Sequence, residues 1–356
     1  MKDQLQPTPF ACPGVTVSLH VLRTSGSWIA TALLVLVCQQ ASAQAGSRPA
    51  QYFDSPQMFY HSLNGSAPNL QGGAEAAPLT PVGVLGLAPA THYLLWVELE
   101  QGRLNVLENL GGTGVVLRKR IPVSIGKQGI GKKQEGDNKT PIGIYRMESF
   151  LEDAVLDDFY GIGAYPLNYP NPLDVLESRK GHGIWLHGLP KDAQQRPFLT
   201  SEGCIVIDNQ SLAALVGEIG PGATIVLSSQ ELHWVGAKDA DNRRVSLQHA
   251  IDGWRIAWES RNTSDYLGFY AQDFSDLHRN KAAWADYKTQ VNSNKKFIKV
   301  EVSDVNMLVE PAKPEVVNVV FRQKYASDNF RWQGRKQQLW RQGEEGWQII
   351  YEGDYF

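Results

Sequence analysis

The chain has 356 residues, 42% apolar and 20% charged, with a formal net charge of -3 and a mean hydropathy of -0.30. That length suits about two domains with cores of their own, and this composition excludes a disordered chain and a polytopic membrane protein. The near-neutral balance gives no electrostatic footprint for nucleic acid, and 33 Gly with 19 Pro favour many turns and a strand-rich architecture.

The strongest apolar run, Trp28-Ile-Ala-Thr-Ala-Leu-Leu-Val-Leu-Val-Cys38, is too short to span a bilayer, which takes about twenty residues. Arg23 precedes it and Ala41-Ser-Ala43 follows as a cleavage site, so residues 1–43 read as a secretory signal peptide. After cleavage no membrane span is expected. Cys12 and Cys38 leave with the signal, so Cys204 is the one cysteine of the exported chain and no intramolecular disulfide can form. A lone thiol in an oxidising compartment is either buried or used.

Residues 44–90 read as a linker or docking segment, with 52–53 and 58–60 as its apolar anchors. Strand-like runs follow at 93–99, 104–107 and 115–125, and then a Gly/Lys-rich turn over 126–139 that reads as solvated. It is no phosphate loop, since no Gly-Lys-[Ser/Thr] opens a helix after it. Strands are predicted at 143–147 and 183–187, a helix at 212–216 and a closing strand at 224–227. A polar hinge covers 236–242. Beyond it, Leu247, Ile251, Trp254, Trp258 and residues 266–269 fit amphipathic helices. Alternating strands are then predicted at 297–302, 316–321, 337–340 and 346–351, an α+β order. Seven of the ten Trp lie at or beyond Trp234, enough for an aromatic core under a curved sheet.

The chemistry concentrates in Gly183-Ile-Trp-Leu-His187-Gly188 and Ser201-Glu-Gly-Cys204-Ile-Val-Ile-Asp-Asn209. A cysteine nucleophile needs a base, and His is the usual one. The separation of His187 and Cys204 allows a strand, a loop and a return beside the start. Gly203 permits a sharp turn that frees backbone N–H groups for an oxyanion hole. His182 competes as a base, but if 182–187 is a strand it points away from the His187 face, which Trp185 shares. A zinc site lacks third and fourth ligands at usual spacings, so no metal and no cofactor are expected.

His187-Gly188 followed by Ser201-x-Gly203-Cys204, with Thr140-Pro141-x-Gly143 upstream, resembles the signature of the YkuD-type L,D-transpeptidase catalytic domain. Tyr165-Pro-Leu-Asn-Tyr-Pro-Asn171 suggests the subgroup with the helical-cell-shape L,D-carboxypeptidases. The resemblance implies a mainly β catalytic domain, a YkuD-type β-sandwich, over residues 91–230. Residues 240–356 resemble an α+β NTF2-like domain, implying a homodimer or a small ligand there. By motif, Cys204 is the nucleophile, His187 the base, the Gly188 carbonyl its orienter, and the N–H groups of Gly203 and Cys204 the oxyanion hole.

Among substrate-binding candidates, Arg196 could grip a stem-peptide carboxylate or simply be solvated. Ser201 touches substrate or holds its turn, Tyr169 lines the cleft or packs, and Asn209 caps the helix or meets a ligand. Glu202 and Val206 depart from the family, which often carries His or Arg and Arg at those places. The function implied is a periplasmic peptidoglycan enzyme acting on stem peptides through a Cys204 thioester. It would be an L,D-carboxypeptidase, an L,D-transpeptidase or both, serving cell-wall organisation and cell shape. The alternatives are a non-catalytic wall-binding scaffold and an amidase releasing wall-linked protein.

Overall fold

The computed structural model describes residues 79–111, 114–193, 196–236 and 241–355. The signal peptide expected over 1–43 and the anchors at 52–53 and 58–60 lie outside these residues. Among the described residues no helix is long and apolar enough to cross a membrane.

The first half is a sandwich. One five-stranded sheet runs in the spatial order Val115–Pro122, Arg103–Asn109, Tyr93–Glu98, Thr224–Ser228 and Gly143–Arg146. Its central pair, Tyr93–Glu98 with Thr224–Ser228, is parallel and the other pairs are antiparallel. Successive side chains of a strand point to opposite faces. Leu95 and Val97 therefore enter one core with Val106 and Ile225, while Leu94 and Trp96 enter a second with Ile144 and Val226. A sheet covered on both faces needs the near-continuous apolar run found at 93–97.

A smaller sheet faces the first core, in the order Ile205–Val206, Trp185–His187, Gly163–Pro166 and Leu151–Glu152. Ile184, Leu186 and Ile205 close that core. Helix Asn209–Glu218 buries Leu212 and Leu215. It begins before the stretch predicted for it, because the Asp208 side chain accepts from the Ser211 N–H at 2.8 Å and caps it.

The second half stacks helices Asp241–Ser260, Thr263–Gly268 and Lys281–Ser293 on one face of a curved sheet. Its order is Gly346–Asp354, Arg331–Gly343, Lys313–Ser327, Ile298–Glu310 and Val84–Gly86. The four long strands cover the predicted runs, save Phe297, and extend them to hairpin turns of two, three and two residues. A register shift between Ser303 and Asn306, with Asp304 at φ +52°, bends Ile298–Glu310 as a bulge does.

The fifth strand is an addition. Leu79–Pro81 pairs with Trp234–Gly236, and Val84–Gly86 joins the C-terminal sheet through Ile298–Glu310. Part of the expected linker is thus built into the fold. The outer face of that sheet covers the first half: Leu308 packs with Trp96 and Ile144, while Val316, Leu339 and Ile350 pack with Leu173.

Candidate active site

Strand Trp185–His187 lies between two partners. It runs antiparallel to Gly163–Pro166 and parallel to Ile205–Val206, with Leu186 opposite Ile205 and His187 opposite Val206. Cys204 stands one residue ahead of that parallel strand, so the register sets it beside Trp185, at the start of the strand that ends in His187. His182 lies before the strand, exposed, 3.4 Å from Glu135.

His187 is fully buried. Its Nδ1 lies 2.7 Å from the Gly188 carbonyl oxygen. A carbonyl only accepts, so Nδ1 carries the proton and Nε2 is the acceptor. Nε2 is buried without a hydrogen-bond partner. Burial pulls the imidazole pKa down to about 4, the Gly188 bond opposes this, and the Arg196 charge adds to it.

The thiol of Cys204 donates to the Gly183 carbonyl at 3.4 Å rather than to Nε2. Burial raises its pKa, the Trp185 N–H and the charges of Arg196 and Lys132 pull it down, and Glu202 pushes it up. Thiol and imidazole therefore both rest neutral. Such bonds are often long before a substrate arrives.

The turn before Cys204 requires Gly203. Its φ is +127°, and a Cβ there would stand 2.7 Å from the Lys139 carbonyl oxygen and 3.0 Å from Ile184 Cδ1. The Gly203 N–H donates to Ser201 Oγ at 3.1 Å, and that hydroxyl donates to the Cys204 carbonyl at 2.6 Å. Thr140 Oγ1 donates to the Gly203 carbonyl at 3.0 Å and accepts from the Gly126 N–H. The Thr-Pro turn thus braces the cysteine turn.

Of the four residues expected to touch substrate, three are bound into the framework instead. Ser201 is buried and spends its hydroxyl inside the turn. Tyr169 is buried, and its hydroxyl donates to the Lys180 carbonyl at 3.1 Å. Asn209 is the first residue of its helix rather than its cap. Its side chain accepts from the Ile162 N–H at 3.2 Å and donates to the Leu189 carbonyl at 3.0 Å. The fourth is Arg196. It holds Thr200 through Nε and Nη2 and lies 5.1 Å from the Phe159 ring centroid, while Nη1 is buried without a partner.

Two features escaped the sequence reading. The Gly/Lys-rich turn is not solvated throughout: Lys132 is buried and paired with Asp137 at 2.8 Å. Burial disfavours the Asp137 charge, but Lys132 and the N–H groups of Lys133, Gln134 and Lys139 outweigh it and hold the pKa at about 2. The spacing of Asp137 behind a glycine in a turn was a usable signal. The second feature is Phe159-Tyr160, whose rings cover His187. No group of three metal-ligating side chains is assembled among the described residues.

Comparison with known proteins divides the chain in the same place. Residues 92–227 match the L,D-transpeptidase catalytic domain model, and residues 246–353 match the Cds6 C-terminal NTF2-like domain. A solved structure of Bdellovibrio bacteriovorus Bd1075 is 29% identical, covering 78% of this chain and 99% of its own, with a TM-score of 0.66. The helical cell shape determining protein Pgp2 of Campylobacter jejuni, in a point-mutant structure, is 24% identical over 76% of this chain and 93% of its own, with a TM-score of 0.64. A second Pgp2 structure is 22% identical over 83% and 98%, with a TM-score of 0.61. No match was found among curated proteins.

Proposed function

This chain joins an L,D-transpeptidase catalytic domain to a C-terminal NTF2-like domain, and from that premise we propose that it is a cysteine enzyme of peptidoglycan stem peptides, working in the periplasm. The observation that carries this reading is the placement of Cys204 at the start of a strand paired with the strand that ends in His187, whose Nδ1 is anchored on Gly188.

The reaction follows from the protonation states. Because thiol and imidazole both rest neutral, the proton moves from Sγ to Nε2 as Sγ attacks the carbonyl between an L-centre and a terminal D-amino acid. The Cys204 N–H is the oxyanion donor at the turn; the Gly203 N–H contributes only on leaving Ser201 Oγ. The imidazolium then protonates the departing amine, leaving a thioester on Cys204. Water in the second half gives L,D-carboxypeptidase activity, and an amine gives a crosslink. Glu202, two residues before the nucleophile, is exposed and paired with Lys127 at 3.2 Å. Hydrolysis is the outcome we favour, and a cell-shape role like that named for Pgp2 fits it.

The test is incubation with purified tetrapeptide muropeptides. Tripeptide and free D-alanine are expected, and Cys204→Ala should abolish both while the protein stays folded. Turnover retained in that variant would overturn the mechanism, and 3-3 linked dimers as the main product would overturn the choice of water. The raised thiol pKa and the missing Sγ–Nε2 bond favour a second reading, a non-catalytic wall-binding scaffold. A thiol-reactive probe separates the two, since an activated Cys204 reacts faster in the folded than in the denatured protein.

A further inference from the structure

The catalytic-half residues 153–160 form a loop with two short 3-10 turns, Asp153–Val155 and Asp158–Tyr160. Lys191 ties it down, with Nζ 3.2 Å from Asp153 and 3.0 Å from Asp158. At its end Gly161, with φ +68°, leaves no room for a Cβ: one built there would stand 2.3 Å from Asn209 Oδ1 and 2.3 Å from the Leu189 carbonyl oxygen. The close approach forces the preceding two side chains over the strand that carries His187.

There they meet the imidazole. The Phe159 ring centroid is 5.6 Å from that of His187, and the Tyr160 ring stands edge-on to it at 5.1 Å. Tyr160 also packs on Trp185 at 4.9 Å and Phe159 on Tyr160 at 5.3 Å, so the three rings join in one continuous cluster with the imidazole. Phe159 is 46% exposed, which places it at the surface and not in a core. It also carries the Arg196 guanidinium on its other contact.

We propose that Phe159 and Tyr160 are positioning residues that roof His187, keeping its imidazole dry and unprotonated with Nε2 open to accept the thiol proton. The other groups facing His187 are few. Arg196 from the loop before strand Leu199–Ser201 disfavours a second proton. Strand Ile205–Val206 presents Val206 in register with it on one side, and strand Gly163–Pro166 presents Ala164 on the other. Asp158 is turned to Lys191, while Asp157 and Glu202 act on Tyr160. Among the described residues no carboxylate is paired with the ring, so water exclusion is the lever that remains.

This rests on His187 being the base, but the test reads the imidazole directly and needs no turnover. The Cε1 proton of His187 is followed by NMR against pH, assigned among the eight histidines by subtraction of a His187→Gln spectrum. In the unmodified protein the midpoint should lie near about 4. Phe159→Ala/Tyr160→Ala should raise it by about one unit or more, toward the ordinary histidine value. Tyr160→Phe, which keeps the ring, should leave it in place. An unmoved midpoint in the double variant overturns the proposal, as does a Tyr160→Phe shift as large as that of the double variant. If the double variant does not fold, Phe159→Ala alone decides: a raised midpoint supports the roof and an unmoved one overturns it. Failure of Cys204→Ala to abolish turnover would defeat the mechanism above and leave this titration untouched.

Discussion

At the scale of the residue, burial decides the chemistry of His187 more than any partner does. Its pKa falls from 6.5 to about 4 on folding. A depressed histidine favours the folded state above the unfolded value of about 6.5, and that contribution is lost as pH falls through about 4. Between those limits the unfolded chain binds the extra proton. The shift corresponds to about 3 kcal/mol. Denaturant titrations from pH 7 to 4 should therefore show a loss of stability that is smaller in His187→Phe by up to that amount. Equal slopes in the two proteins would show that the imidazole is not dry. The same neutrality places the acidic limb of any pH–activity profile below the ordinary histidine range.

At the scale of the element, short pieces held by side-chain bonds bring the site together. Strands Trp185–His187 and Ile205–Val206 have three and two residues, too few to be stable alone. They are held by the Thr140 and Ser201 hydroxyls on one side and by helix Asn209–Glu218 on the other. Asp208 caps that helix, and Asn209 ties its first turn to the roof loop at Ile162 and to Leu189. Asp208→Ala should cost about 1 kcal/mol, read as a lower denaturant midpoint at unchanged slope. No change would mean that packing of Leu212 and Leu215 alone sets the helix start.

At the scale of the molecule, the catalytic half rests on the outer face of the C-terminal sheet, and that seam holds an unusual acid. Glu310 is fully buried at the end of strand Ile298–Glu310. Burial raises its pKa to about 8, Asp174 and Glu177 add to the rise, and Arg179 opposes it. Asp174 itself is held by Arg179 at 2.9 Å, Tyr145 at 3.0 Å and the Asn171 N–H. A carboxyl raised in this way favours folding below the unfolded value of about 4.5, and the benefit is lost as pH rises through about 8. At pH 7 folding must take up a proton there. Glu310→Gln should thus stabilise the protein by about 3 kcal/mol at pH 7, and the gain should vanish below about pH 4.5. A destabilised variant at pH 7 would mean that an ionised Glu310 is held by Arg179.

The sequence by itself determined the order of the two halves, the strand-rich catalytic fold and the candidate pair. Each rests on local signals: strand-like apolar runs at 93–97 and 316–321, a Gly that permits a sharp turn at 203, and His187-Gly188 and Ser201-x-Gly-Cys204 as contiguous motifs. Only the tertiary structure decided what surrounds them. Ser201, Tyr169 and Asn209 carry polar groups that could face a ligand, and whether they do depends on which backbone groups the fold leaves unpaired nearby. Lys132 reads as part of a solvated turn because nothing adjacent in sequence buries it; the fold does. Phe159 and Tyr160 lie 28 and 27 residues before His187, and in sequence an aromatic pair in a loop is indistinguishable from a core anchor. Val84–Gly86 reads as linker because three residues carry no periodicity, and it becomes a strand only where the open edge of Ile298–Glu310 supplies its hydrogen bonds.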